Sequence, residues 1–172
     1  MEAKQAWKVI HSSKDLDWRT PKALFDVLDG EFGFALDAAA TMSNKLCDQY
    51  LGPDNPNPKL QDALTAHWVG SVYCNPPYGR EVGKWVKHGW QQAQQGATVV
   101  MLVMACTDTA WWHDFAWLAD EIRLVRGRVR FDRADGTPAA AAPKGSAILI
   151  FRSHVPQNGW PGGPRVRSWR CA

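Results

Sequence analysis

The 172-residue chain is 45% hydrophobic and 22% charged, with a formal net charge of +3. These values fit one soluble globular domain with a real core and exclude a polycation. No apolar run reaches bilayer-spanning length, and the start lacks a basic-then-apolar leader. The four cysteines and five histidines form no CxxC, HExxH or clustered pattern, so reduced thiols and no metal centre are expected.

Residues 1–17 are polar with little periodicity and read as a loosely held arm, with the domain proper running over 17–152. Leu24, Val27 and Leu28 then recur at helical spacing; Thr20 fits an N-cap and Pro21 the first helical position. Phe34, Ala35 and Leu36 form a short apolar strand ending at Asp37. An acid at the carboxyl end of a strand is placed to bind a ligand's amine or hydroxyls, and it equally serves as an N-cap. Residues 41–50 read as one short helix, and 52–58, with three prolines and two asparagines, as a loop. The next strand is 71–74. After Gly79, Val82, Trp85, Val86 and Trp90 share one face of an amphipathic helix that Gly96 ends. Thr98 to Ala105 is nearly all apolar, as a central parallel strand covered on both faces should be. Thr107, Asp108 and Thr109 lead into a helix that turns Trp111, Trp112, Phe115 and Leu118 inward. Residues 122–125 read as a strand and 127–131 as a half-exposed one. Residues 133–145 read as a mobile loop, 147–151 as the last core strand, and 153–172 as a flexible tail.

The stretch Asn75-Pro76-Pro77-Tyr78 stands at the end of an apolar strand that two prolines stop. Asn75 offers a carbonyl acceptor. Pro76 has no N–H and a fixed φ, so its carbonyl can point at a ligand. Tyr78 offers a stacking face, and the surplus of aromatic residues, ten of them tryptophan, suits a flat ligand. The set suits gripping a planar molecule with an exocyclic amino group; a Pro-rich turn with a buried tyrosine is the alternative. The alternation of strands and helices implies one α/β sheet. Asp37, Asn75 and the 107–109 cluster each follow a strand that leads into a helix. In a parallel sheet all three therefore fall on one edge, where ligands bind.

With these motifs in hand, the chain resembles the small phage and prophage family of adenine-N6 DNA methyltransferases. The resemblance runs from about Asp17 to Phe151. It rests on Trp18-Arg19-Thr20-Pro21, Leu36-Asp37-Ala38-Ala39, Asn44-Lys45-Leu46-Cys47, Asp62-Ala63-Leu64 with Trp68, Asn75-Pro76-Pro77-Tyr78, Thr107-Asp108-Thr109, Gly127-Arg128 with Phe131, and Gly145-Ser146. It implies a Rossmann-like sheet that binds S-adenosylmethionine and methylates DNA, in the cytoplasm of a bacterial host cell. Asn75, Pro76, Pro77 and Tyr78 would then be catalytic. Trp18, Thr20, Pro21, Asp37, Ala38 and Asn44 would contact the cofactor, with Asp62 at its adenine amino group. The same four-residue motif occurs in glutamine and RNA methyltransferases, and a non-catalytic DNA-binding derivative is a further alternative.

The chain departs from the class in having Ala38, Ala39 and Ala40 where a Gly-rich turn is usual. Alanine allows close approach but not an easy positive φ. Few residues separate Asp37 from Asn75, so a trimmed sheet is expected. Arg126, Arg128, Arg130 and Arg133 are candidates for a phosphate track, against a solvated strand face. In a chain of this length, recognition of a short or relaxed DNA site is expected.

Overall fold

The computed structural model describes residues 18–133, 138–153 and 163–170; the expected N-terminal arm and most of the expected tail lie outside these residues. Seven strands form one mixed sheet. In chain order they are β1 (Leu36–Asp37), β2 (Gln49–Tyr50), β3 (Ser71–Cys74), β4 (Thr98–Met104), β5 (Glu121–Val125), then β8 (Ser146–Phe151) and β9 (Arg165–Trp169). Between β5 and β8, β6 (Arg130–Asp132) and β7 (Pro138–Ala141) make a separate antiparallel pair. The spatial order of the sheet is β2-β1-β3-β4-β8-β5-β9. β1, β2, β3 and β4 run parallel, and β8 is antiparallel to both β4 and β5. The trimming expected from the short Asp37–Asn75 interval takes the form of two-residue strands β1 and β2, while the sheet keeps seven members.

Alternation along β4 divides the core in two. Val99, Met101 and Val103 face a cluster containing Trp68, Trp85, Val86 and Trp112. Val100 and Leu102 face Leu24, Phe25, Leu28 and Phe131. Helix α1 (Lys22–Phe32) covers the second face, and α2 (Val82–Gln94) with the short α3 (Ala110–Asp114) covers the first. α2 can lie close because Gly89 has no Cβ: one built there would stand 2.8 Å from Met101 Sδ. The central-strand reading of 98–105 thus holds, and so does the inward face of α2, with Trp85 and Val86 buried.

Several expectations change. Residues 41–50 contain no helix: Asn44 Oδ1 takes the Thr41 N–H at 2.6 Å and Asp37 Oδ2 takes the Leu46 N–H at 3.1 Å. Side chains there compete for the backbone donors a helix would need, and the segment ends as strand β2. Pro21, not Thr20, is the N-cap of α1; the Thr20 hydroxyl is engaged elsewhere. Leu118 is 44% exposed rather than inward, since α3 stops at Asp114 and a 3-10 turn (Ala116–Leu118) reorients the chain. The half-exposed strand expected at 127–131 covers only 130–132. Part of the expected 133–145 loop is strand β7; residues 134–137 of it lie outside the described residues. Within the expected flexible tail, residues 165–169 form β9, parallel to β5.

Candidate active site

The carboxyl ends of β1 and β3 are neighbours, because Asp37 is in register with Tyr73. A cleft of about 290 Å³ opens there, lined among others by Trp18, Thr20, Asp37, Asn44, Asn75 and Tyr78. Its size lies at the lower end of ordinary ligand pockets. β3 delivers the Asn75-Pro76-Pro77-Tyr78 turn, β1 delivers Asp37, and the segment preceding α1 forms the opposite wall.

Asn75 is held from one side only. Its Nδ2 donates to the Trp18 carbonyl oxygen at 2.9 Å and to Thr20 Oγ1 at 3.1 Å. Its Oδ1 is buried and has no hydrogen-bond partner among the described residues. Buried acceptors are rarely left unpaired, and each exception calls for a reason such as strain or a catalytic role; Ser71 Oγ, Trp112 Nε1 and Ser146 Oγ are likewise unpaired among the described residues but lie outside the cleft lining. The Thr20 and Tyr73 hydroxyls stand 2.7 Å apart, both residues being buried. Burial pushes the Tyr73 phenol well up, against a lowering by the bond to Thr20, so it stays protonated.

Tyr78 sits edge-on to Trp18 and to Phe131, with ring centroids 6.2 and 5.7 Å apart, and Trp18 meets Phe131 edge-on at 5.2 Å. The Tyr78 hydroxyl is buried without a hydrogen-bond partner among the described residues; burial drives its acidity far down. β6 is tied to this wall by paired backbone hydrogen bonds between Arg19 and Asp132, which explains how Phe131 reaches the site.

Asp37 is 4% exposed. Its two oxygens accept the N–H groups of Ala39 at 3.3 Å and Leu46 at 3.1 Å. Burial nevertheless pushes its carboxyl up to about 6, with those N–H groups only partly opposing the shift. Such a group gains from a cation placed beside it. The turn that follows needs no glycine: no non-glycine residue among the described ones has positive φ. The close approach is made across the turn instead, at Gly52, where a Cβ would stand 1.7 Å from the Ala40 carbonyl oxygen.

The structure therefore brings together Trp18, Thr20, Asp37, Asn44, Asn75, Pro76, Pro77 and Tyr78. Asn44 contributes mainly by holding the 41–44 turn through its Oδ1. Pro21 stands behind the wall as the cap of α1, and Ala38 is buried with its N–H on the Tyr73 carbonyl. Asp62 is outside the cleft lining; its Oδ1 accepts the Leu64 N–H at 3.0 Å and caps a local turn. The 107–109 cluster is outside the lining as well, with Thr109 Oγ1 donating to the Cys106 carbonyl oxygen. Arg126, Arg128, Arg130 and Arg133 are exposed and outside the cleft lining; the Arg19–Asp132 bridge ties β6 to the cleft wall, while the Arg126 N–H pairs with the Trp169 carbonyl oxygen at the far side of the sheet.

Sequence reasoning missed Tyr73, Arg19, Thr41, Ser43 and Leu46 as cleft residues. Tyr73 was findable, since alternation along β3 puts it on the face opposite Val72 and Cys74. Among the described residues no group of three or more His, Cys, Asp or Glu side chains could hold a metal, and no helix is long and apolar enough to cross a membrane.

A family model described as DNA N-6-adenine-methyltransferase (Dam) matches residues 7–160. The DNA N-6-adenine-methyltransferase of Escherichia phage T1 is 29% identical over 152 residues, which cover 78% of this chain and 62% of that protein. The chain thus spans less than two-thirds of the length of this curated relative.

Proposed function

The chain belongs to the DNA N-6-adenine-methyltransferase family, and on that premise we propose that it transfers a methyl group from S-adenosylmethionine to the N6 amino group of adenine in DNA. The observation that carries this is the Asn75 amide: its N–H groups are engaged by Trp18 and Thr20, and its buried Oδ1 is left without a partner among the described residues. An acceptor so prepared fits an amino group that arrives only with the substrate.

The amino lone pair of adenine is delocalised into the ring, and the base is stacked inside the duplex. Extruding it costs roughly a few kcal/mol. The rings of Tyr78 and Trp18 that line the cleft, backed by buried Phe131, offset part of this, at about 1–3 kcal/mol for a stacked base. Asn75 Oδ1 and the Pro76 carbonyl accept the two amino hydrogens, which favours a tetrahedral nitrogen and localises its lone pair. When bound, S-adenosylmethionine supplies a methyl group activated by a sulfonium, so the chain need provide no nucleophile. The Asp37 carboxylate suits the ammonium of the cofactor's amino-acid end, and the unpaired Oδ1 and buried acid both fit such a ligand set. Alignment and fixed acceptors account for most of the rate.

Asn75→Ala is expected to lose nearly all transfer of labelled methyl groups to DNA while still binding S-adenosylmethionine in calorimetry. Tyr78→Phe should keep most activity, since the hydroxyl has no partner to lose among the described residues, and Tyr78→Ala should lose most of it. Wild-type turnover in Asn75→Ala would refute the assignment. Label appearing in RNA or protein in place of DNA would redirect it.

A further inference from the structure

The Thr20 hydroxyl belongs to the segment that the family resemblance assigns to cofactor contact, yet its hydrogen bonds go to two other residues of the cleft lining, Asn75 and Tyr73. It accepts from Asn75 Nδ2 at 3.1 Å and pairs with the Tyr73 hydroxyl at 2.7 Å. Thr20 is 7% exposed and Tyr73 1%. Tyr73 lies on β3, two residues before Asn75, which follows the strand's end, while Thr20 comes from the segment before α1, so the contact joins two separate walls. We infer that Thr20 and Tyr73 are positioning residues: a buried hydroxyl pair that fixes which way the Asn75 amide faces.

A side-chain amide has two N–H donors at one end and an acceptor at the other. Turned over, the Asn75 amide would set its oxygen against the Trp18 carbonyl, acceptor to acceptor. Thr20 adds a second acceptor at 3.1 Å that favours the observed sense. A lone threonine hydroxyl could rotate to donate instead, and an Asn75 oxygen would then be welcome there. With the Thr20 hydroxyl donating to the Tyr73 oxygen, one of the two senses open to this 2.7 Å contact, its single proton is used and only lone pairs face the Asn75 amide. The Oδ1 is thereby committed to the cleft before substrate arrives, which is the preorganisation that acceptor catalysis requires. Neither hydroxyl needs to touch the reacting atoms.

This inference rests on the reading of Asn75 as the amino-group acceptor, and its test separates the two. In the folded protein without substrate, the Asn75 side-chain NH2 signals in 15N-resolved NMR should be shifted and slow to exchange. Thr20→Val, which keeps the shape and removes the hydroxyl, should move them toward free-amide values, Thr20→Ser should restore them, and Tyr73→Phe should move them part of the way. Thr20→Val should lower kcat about ten- to a hundred-fold, the size of loss expected when a catalytic group is misplaced. The KM for DNA and the Kd for S-adenosylmethionine should stay within about three-fold, and Thr20→Ser should recover most of kcat. Weaker cofactor binding with unchanged kcat would overturn the inference and make Thr20 a cofactor contact; unchanged Asn75 signals in both Thr20→Val and Tyr73→Phe would overturn it as well. Were Thr20→Val not to fold, Tyr73→Phe and Thr20→Ser would still decide the matter through the NMR signals. A wild-type protein that methylates no adenine while its Asn75 signals respond as described would sink the functional reading and leave the hydroxyl pair standing.

Discussion

Asp37 carries the clearest pH signature of any single residue. Burial raises its carboxyl from 3.8 to about 6, so the folded protein holds this proton more tightly than the unfolded chain does. Below about pH 4 both states are protonated and there is no penalty; as pH rises through about 6 the folded state must bear a buried charge. The protein alone should therefore lose about 3 kcal/mol of stability between about pH 4 and 6 through this group. A bound ammonium would reverse the preference, so cofactor affinity should rise over the same window with proton release. Thermal melts of wild type and Asp37→Asn across pH 4–8 check the first statement. The variant should lack the wild-type downward slope, whatever its baseline. Calorimetry in buffers of different ionisation enthalpy checks the second, and binding heats that do not depend on buffer at pH 6 would count against it. Asp37 and Asn75 were legible in the sequence because each ends an apolar strand. Alternation along β3 was enough to place Tyr73 on the cleft's face, but its contact with the Thr20 hydroxyl was not legible, since that depends on two walls meeting and no local pattern encodes the meeting.

At the scale of elements, the sheet's far end is held by charge. Arg123 on β5 is 1% exposed and makes a bidentate pair with Glu31 at the end of α1, at 2.6 and 2.5 Å. Its Nε donates to Glu121 at 2.8 Å, and Arg167 of β9 donates to the same carboxylate. Burial pushes Glu121 up, but the bonds from Arg123 and Arg167 more than offset it, so its carboxyl rests below the ordinary value. The guanidinium of Arg123 also lies 5.5 Å from the centroid of the Phe32 ring. One side chain thus joins α1, β5 and, through Glu121, β9. Removing it leaves a buried acid with poorer company, and Arg123→Ala should cost about 3 kcal/mol of stability, read as a lower urea midpoint. Because the network sits at the end of α1 away from the cleft, kcat of the folded fraction at low temperature should change little. A fall in kcat with unchanged stability would mean that the network acts on the site. β9 was illegible for the same reason: Arg165, Arg167 and Ser168 read as polar tail. What makes them a strand is pairing to β5 and a buried glutamate that no short window of sequence contains. By contrast β4 was plain, because burial on both faces writes an unbroken apolar run.

For the molecule as a whole, the net charge of +3 supplies no strong field, so any attraction to DNA must come from how the cations are grouped. Arg126, Arg130 and Arg133 are exposed on one segment, and the backbone bridge between Arg19 and Asp132 anchors that segment to the cleft wall. Arg128 differs, since its Nη1 donates to the Ala142 carbonyl oxygen at 3.0 Å and so helps hold the β6–β7 unit. If the other three meet phosphates, each contributes sequence-independent affinity through counterion release, about 0.9 in the slope of log K against log salt. Replacing Arg126, Arg130 and Arg133 together with glutamine should flatten that slope by up to about 2.7. It should weaken binding to all duplexes alike, and leave S-adenosylmethionine affinity unchanged. Arg128→Gln should act mainly on stability. Fluorescence anisotropy over a series of KCl concentrations, with two unrelated duplexes, reads both quantities. An unchanged slope would place the DNA on another face, and a loss confined to one duplex would make these arginines readers of sequence instead of anchors to the backbone.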